Sequence, residues 1–196
     1  MIIHLYLKVG DETLLSRKHL KNYVLTSVTD EKGRVRKELV YTGSYYQWRL
    51  YETELREKRL FLLISCIVSW GLYLLPLLMY SVLTRLVYVI LPYSLFAFSI
   101  FYVSTSIFNL WTAQNPFTFE KKNKSIDRMK PALVVGVMLL VLSLIGQVVG
   151  IVIWKEYINY SDVILTVSTI LLIPLFLFDL KESKYLLTNE LENPLS

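Results

Sequence analysis

The chain has 196 residues, of which 54% are hydrophobic and 19% charged, with a formal net charge of +5 and a mean hydropathy of +0.45. An ordinary soluble domain is about 45–50% apolar and about 25% charged, so the balance argues against a plain soluble domain. A single cysteine, Cys66, excludes an intrachain disulfide and a thiolate metal cluster, and within an apolar run it reads as a small packing residue.

The composition is uneven. Residues 1–59 hold twelve of the 21 Lys/Arg and eight of the 16 Asp/Glu, whereas residues 60–178 hold the long apolar runs. That contrast predicts a membrane all-α fold. Its core would be a four-transmembrane-helix bundle made of two helical hairpins, preceded by a small N-terminal cytoplasmic segment of α+β type with a β-hairpin. The divisions expected are a β-rich segment over 1–43, a juxtamembrane amphipathic helix over 44–59, the transmembrane domain over 60–180 and a cytoplasmic tail over 181–196.

Met1 to Val9 contains His4 and Lys8 and lacks a basic start, so it does not read as a signal peptide. Residues 2–9 alternate, with Ile3, Leu5, Leu7 and Val9 on one face, as in a half-buried strand. Gly10-Asp11 reads as a turn and Glu12–Lys21 as a short helix. Tyr23–Thr29 and Arg34–Thr42 are β-type runs around Asp30-Glu31-Lys32-Gly33, the pattern of a hairpin. Ser44–Arg59 reads as a helix entering the first span, with Tyr41, Tyr45, Trp48 and Leu55 on one stripe. Glu52/Arg56 and Glu54/Lys58 would be i,i+4 pairs on its remaining surface.

A helix needs about 20 apolar residues to cross about 30 Å of hydrocarbon. Four stretches are candidates: Leu60–Leu83, Leu86–Trp111, Ala132–Trp154 and the shorter Val163–Phe178. None contains Asp, Glu, Lys, Arg or His. Basic residues set the expected orientation. Twelve precede the first span, five lie in the 112–130 loop (Lys121, Lys122, Lys124, Arg128 and Lys130) and two in the tail (Lys181 and Lys184), which places 19 on one side against Arg85 and Lys155 on the other. Positive residues stay inside, so both termini are expected to be cytoplasmic, in a cell (inner) membrane. The outer connections would be short, leaving two tight hairpins and a bare outer face.

Each span carries small or polar residues at helical spacing: Ser65, Ser69, Tyr73, Pro76 and Tyr80; Ser99, Tyr102, Ser106 and Asn109; Gly136, Ser143, Gly146, Gln147 and Gly150; Thr166 and Thr169. Such residues let helices approach and share hydrogen bonds, so packing is the first expectation. A polar cavity centred on Gln147 and Asn109 is the alternative, and Gly146-x-x-x-Gly150 is a candidate dimer contact. Trp48 and the basic residues Lys121, Lys122, Lys124 and Arg128 are the candidate cytoplasmic contacts.

Intramembrane ionisable residues mark function by default, and the spans so drawn contain none. No zinc spacing, C-x-x-C, phosphate loop or nucleophile with a membrane-level base is present, so neither an enzyme nor a cofactor is expected. No nucleic-acid motif occurs either. A quinone-linked thiol oxidoreductase needs paired cysteines, a small multidrug exporter a membrane carboxylate, and a claudin-like protein a large outer loop; none fits. The sequence therefore suggests a non-catalytic multi-pass protein of the lipid bilayer. It would work through contact with another membrane protein or as a homo-oligomer, as accessory subunit, regulator or immunity-type protein. The alternative is small-solute or lipid handling along the polar stripes.

Overall fold

The computed structural model describes residues 23–29, 35–41, 43–113, 115–186 and 188–191. The expected strand at 2–9, the Gly10-Asp11 turn, the helix at Glu12–Lys21 and the Asp30–Gly33 connection lie outside the described residues. The chain divides into two units, one of residues 1–45 and 191–196 and one of residues 46–190.

The first unit contains β1 (Tyr23–Thr29) and β2 (Val35–Tyr41), which pair antiparallel from Tyr23 opposite Tyr41 to Thr29 opposite Val35. Both strands are rich in Val, Thr, Leu and Tyr, residues that suit a pleated surface.

The second unit is a helical bundle. α1 (Glu52–Leu77), α2 (Val87–Thr112) and α5 (Tyr160–Tyr185) each have 26 residues. A one-turn helix, α3 (Phe119–Lys122), passes through a π turn at Asn123–Asp127 into α4 (Met129–Ile153), making a 35-residue rod from Phe119 to Ile153. All four rods are long and apolar enough to cross a membrane. A 26-residue helix spans about 39 Å at 1.5 Å per residue, more than the about 30 Å of hydrocarbon. Neighbours run in the ring α1, α2, α4, α5 and back to α1. Since successive members of that ring alternate in direction, every neighbouring pair is antiparallel.

Each helix buries one stripe at spacings of three and four. On α1 it is Leu55, Leu62, Ser65, Ser69, Tyr73 and Pro76, and on α5 it includes Asp162, Leu165, Thr169, Leu172, Phe176 and Asp179. The opposite faces are large and apolar: Ile67 is 63% exposed, Phe98 64%, Met138 65% and Val152 73%. Most serines of the helices and the α4 glycines therefore sit inside beside part of the Leu and Phe, while many other Leu, Ile, Val and Phe side chains point out. In water such a surface would far exceed the few hundred Å² of contiguous apolar patch that soluble monomers tolerate.

The two ends of the bundle differ. At the turn end, α1 joins α2 through a short 3-10 turn at Leu83–Arg85, and α4 joins α5 through another at Lys155–Tyr157. At the other end, β3 (Tyr45–Trp48), β4 (Phe117–Thr118) and β5 (Thr188–Leu191) form a sheet in the order β4-β3-β5.

Several sequence expectations require correction. The 44–59 segment is not one helix: Tyr45–Trp48 is a strand and α1 begins at Glu52. The run Tyr-Tyr-Gln-Trp alternates, burying Tyr46 and Trp48 and exposing Gln47, and Glu52 and Glu54 then favour a helix N-terminus. The first span ends at Leu77 rather than Leu83, because Ser81 and Leu83 turn away to bond Asp162. The fourth span is no shorter than the first two, and residues 181–185 of the expected tail belong to it. It reaches that length by enclosing two carboxylates, Asp162 and Asp179.

Gly146 and Gly150 are consumed within the chain rather than left for a dimer. A Cβ at Gly146 would stand 2.8 Å from the Tyr88 carbonyl oxygen, and one at Gly150 would stand 2.6 Å from a Leu83 methyl. The α4 backbone thus lies directly on the start of α2. Gly71, by contrast, has nothing within 4 Å of its Cβ position. Replacing Gly146 with Ala is expected to cost about 1–3 kcal/mol through overpacking against backbone. Replacing Gly71 with Ala is expected to be neutral or stabilising by about 0.5–1 kcal/mol. Thermal unfolding in detergent checks both, and equal melting of the two variants would remove the close α2/α4 approach.

Candidate functional site

The bundle interior holds two polar clusters with an aromatic layer between them. Toward the sheet end, Ser65 on α1 donates to Asp179 Oδ2 on α5 at 2.7 Å, and both residues are buried. Nearby, Cys66 and Trp70 Nε1 meet Ser104 Oγ at 3.1 and 3.0 Å, which ties α1 to α2. Toward the turn end, Gln147 Nε2 donates to Ser143 Oγ at 3.2 Å and to Thr169 Oγ1 at 3.0 Å, while Ser143 donates to the Val89 carbonyl. This second cluster joins α2, α4 and α5.

Aromatic rings fill the interior between these clusters. Tyr73 and Tyr93 stack at 5.1 Å, and the Tyr93 hydroxyl donates to the Tyr73 carbonyl at 3.0 Å. Phe96 lies 5.9 Å from Tyr73 and 4.9 Å from Phe176. Gly136 makes room for Phe176, whose ring would touch a Cβ there at 2.8 Å.

A third polar group closes the turn end. Asp162 is wholly buried in the first turn of α5. Its Oδ1 accepts from Ser81 Oγ and from the Leu83 amide at 2.9 Å; its Oδ2 accepts from the Asn159 amide at 2.8 Å in a reciprocal capping box. A carboxylate at a helix N-terminus is also favoured by the helix dipole. One side chain therefore clamps both interhelical turns together.

The sheet end is closed by aromatic packing. Trp48 is 4% exposed, its ring is 4.6 Å from Phe117, and its backbone amide donates to Asn115 Oδ1 at 3.2 Å. Arg59 Nη2 donates to the Ala113 carbonyl at 2.8 Å, just past the end of α2, and its guanidinium lies 5.7 Å from the Trp48 ring. Lys58 pairs with Glu182 and so links α1 to α5.

The structure sorts the residues singled out from the sequence. Ser65, Ser69, Tyr73, Ser99, Ser106, Ser143, Gly146, Gln147, Gly150 and Thr169 all lie on buried stripes. Tyr102, in contrast, is 53% exposed. Asn109 donates to the Thr105 carbonyl of its own helix, so no cavity is shared between Asn109 and Gln147. Thr166 likewise bonds back to the Asp162 carbonyl. Of the expected cytoplasmic contacts, Trp48 is core. Lys121 reaches the Thr112 carbonyl, Lys122 lies 4.2 Å from the Tyr46 ring and Lys124 pairs with Glu120. Arg128 stays exposed.

Asp162 and Asp179 are functional candidates that the apolar runs concealed, because a hydropathy window ends where a carboxylate begins. Their signal was nonetheless available: Asn159-x-x-Asp162 has capping-box spacing, and Asp179 continues the stripe Thr169, Leu172, Phe176. Among the described residues, three buried side-chain atoms of the bundle interior have no hydrogen-bond partner: Ser69 Oγ, Gln147 Oε1 and Asp179 Oδ1. Among the described residues, no group of three or more His, Cys, Asp or Glu side chains is gathered as a metal site.

No protein-family model, curated protein or solved structure matches the chain.

Replacing Asp162 with Ala would strand the Leu83 and Asn159 amides and the Ser81 hydroxyl in a buried site. Hydrogen bonds to a charged group contribute about 1.5–3 kcal/mol each, so a loss of about 3 kcal/mol or more is expected. The melting temperature in detergent should fall well below that of Thr166→Val, which removes only an intrahelical bond. Similar melting for the two would show that Asp162 is not the clamp.

Proposed function

We propose that this chain is a multi-pass membrane protein that acts by contact rather than by catalysis, as an accessory subunit, regulator or immunity-type protein of a membrane complex. The observation that carries the reading is the filled interior. Tyr73, Tyr93, Phe96 and Phe176 lie between the two polar clusters, and Ser65, Ser104, Ser143, Gln147 and Thr169 are spent on helix-to-helix bonds. A bundle whose polar side chains face one another in this way suits packing more than passage.

In this reading the apolar perimeter faces lipid, and the basic sheet end faces the cytoplasm with both termini, the side that the distribution of Lys and Arg favours. The folded cap of β3, β4 and β5 then gives partners their surface, since the turn end offers only two short connections. The partner is another membrane protein or a second copy of the chain.

A second reading, small-solute or lipid handling within the bundle, draws on the unpartnered Ser69, Gln147 and Asp179 atoms. Asp179, buried on α5, also places an ionisable residue within the fourth long helix, beyond the apolar run read from the sequence.

Isolation of the tagged chain in mild detergent after crosslinking in native membranes is expected to recover a stoichiometric partner or a homo-oligomer. Charge reversal on the cap, Lys121→Glu with Lys122→Glu, should release it. A monomer with no crosslinked partner would sink the contact reading. Loss of a measured solute flux in Ser69→Ala and Gln147→Leu, with expression retained, would establish the second.

A further inference from the structure

A groove of about 760 Å³ runs between α2 and α4 on the outer surface of the bundle. Leu95, Phe98 and Tyr102 form one wall, Ala132, Val135 and Leu139 the other, and Ser99 lies at its floor. Small residues create it: Ala132 leaves the α4 wall low, and the Ser99 Cβ is 3.2 Å from the Cβ position of Gly136, so neither helix fills the gap. At the sheet end the groove is lined by Arg128. Among the described residues the ion pairs are Lys58–Glu182 and Lys124–Glu120, so the exposed guanidinium is in neither. Asp127 and Lys130 are the charged residues beside it in the chain.

The dimensions select the occupant. From Arg128 to Leu139 the α4 wall rises about 16 Å at 1.5 Å per residue, roughly half of a hydrocarbon core about 30 Å thick. A groove with a cation at the headgroup level and apolar walls to the midplane matches one lipid of one leaflet. A partner helix would need a groove through both leaflets. We propose that the α2/α4 groove binds a phospholipid with an anionic headgroup, its phosphate at the Arg128 guanidinium and one acyl chain along Val135 and Leu139. Guanidinium is suited to this task because its planar fork meets phosphate oxygens in pairs. The site depends on the bundle standing in a bilayer, but not on whether the chain acts by contact or by transport.

Native mass spectrometry of the full chain, released from detergent with dioleoyl phosphatidylglycerol or dioleoyl phosphatidylcholine, tests this. The wild-type chain is expected to retain phosphatidylglycerol about fivefold better, the ratio equivalent to one basic side chain at an anionic surface. Arg128→Gln should bring that ratio near one, whereas Lys124→Gln should leave it unchanged. Ala132→Phe, which fills the groove, should lose both lipids. Arg128 is exposed, so its variant is not expected to disturb folding. An unchanged ratio in Arg128→Gln, or an equal fall in Lys124→Gln, would overturn the proposal, as would a lipid-free dimer. A chain that stays soluble and monomeric without detergent would overturn the membrane reading beneath it.

Discussion

α5 holds the bundle together through two carboxylates that have no contact with solvent. Asp162 at its start bonds the turn between α1 and α2, and Asp179 near its end bonds Ser65 on α1. Burying an ionisable group is costly unless donors surround it, and Asp162 has three. Those donors come from both interhelical turns, so the hairpin of α1 and α2 is registered against the hairpin of α4 and α5. The capping box fixes the start of α5 with the same side chain. The position of Phe176, Thr169 and Asp179 along the interior follows from that starting point.

With the register set, the interior divides by residue size. Glycines on α4 let its backbone lie against α2 at Tyr88 and against the preceding turn at Leu83, and accept the ring of Phe176. The Phe176 ring of the aromatic layer occupies the space Gly136 opens, and the polar clusters lie on either side of that layer. In lipid there is no hydrophobic drive to bring helices together, so close packing and interhelical hydrogen bonds carry the association. Ser65–Asp179, Gln147–Thr169 and Trp70–Ser104 are three such bonds, each between different helices. The unpartnered Ser69, Gln147 and Asp179 atoms are where this network is incomplete, and they are the places to look for solvent or solute within the bundle.

The sheet end shows how charge is used once the helices are in place. Most of the basic residues of the 112–130 loop are tied down: Lys121 on a helix-end carbonyl, Lys122 over an aromatic ring, Lys124 on Glu120. Arg59 covers the carbonyl of Ala113 beyond the end of α2 and stacks on Trp48. Arg128 differs from these in facing a groove rather than the cap. Individual residues of this positive loop thus cap, pair or stay available.

The sequence by itself determined the number of long apolar helices, the approximate place of each, the β1–β2 hairpin and most of the inward stripe. These properties depend on local period and on apolar length, which are written along the chain. It did not determine where the helices end. Ser81 and Leu83 look like the close of an apolar run until Asp162 attracts them, and Tyr45–Trp48 looks like a helix face until β4 and β5 flank it as partners. Hydropathy also hid Asp162 and Asp179, since a carboxylate counts against a span whether or not donors wait for it. Tyr102 and Asn109 had the spacing of the polar stripe but not its outcome: helix rotation turned one outward, and the other bonded its own backbone. Only the tertiary structure could decide these points, because each turns on which distant residue arrives opposite.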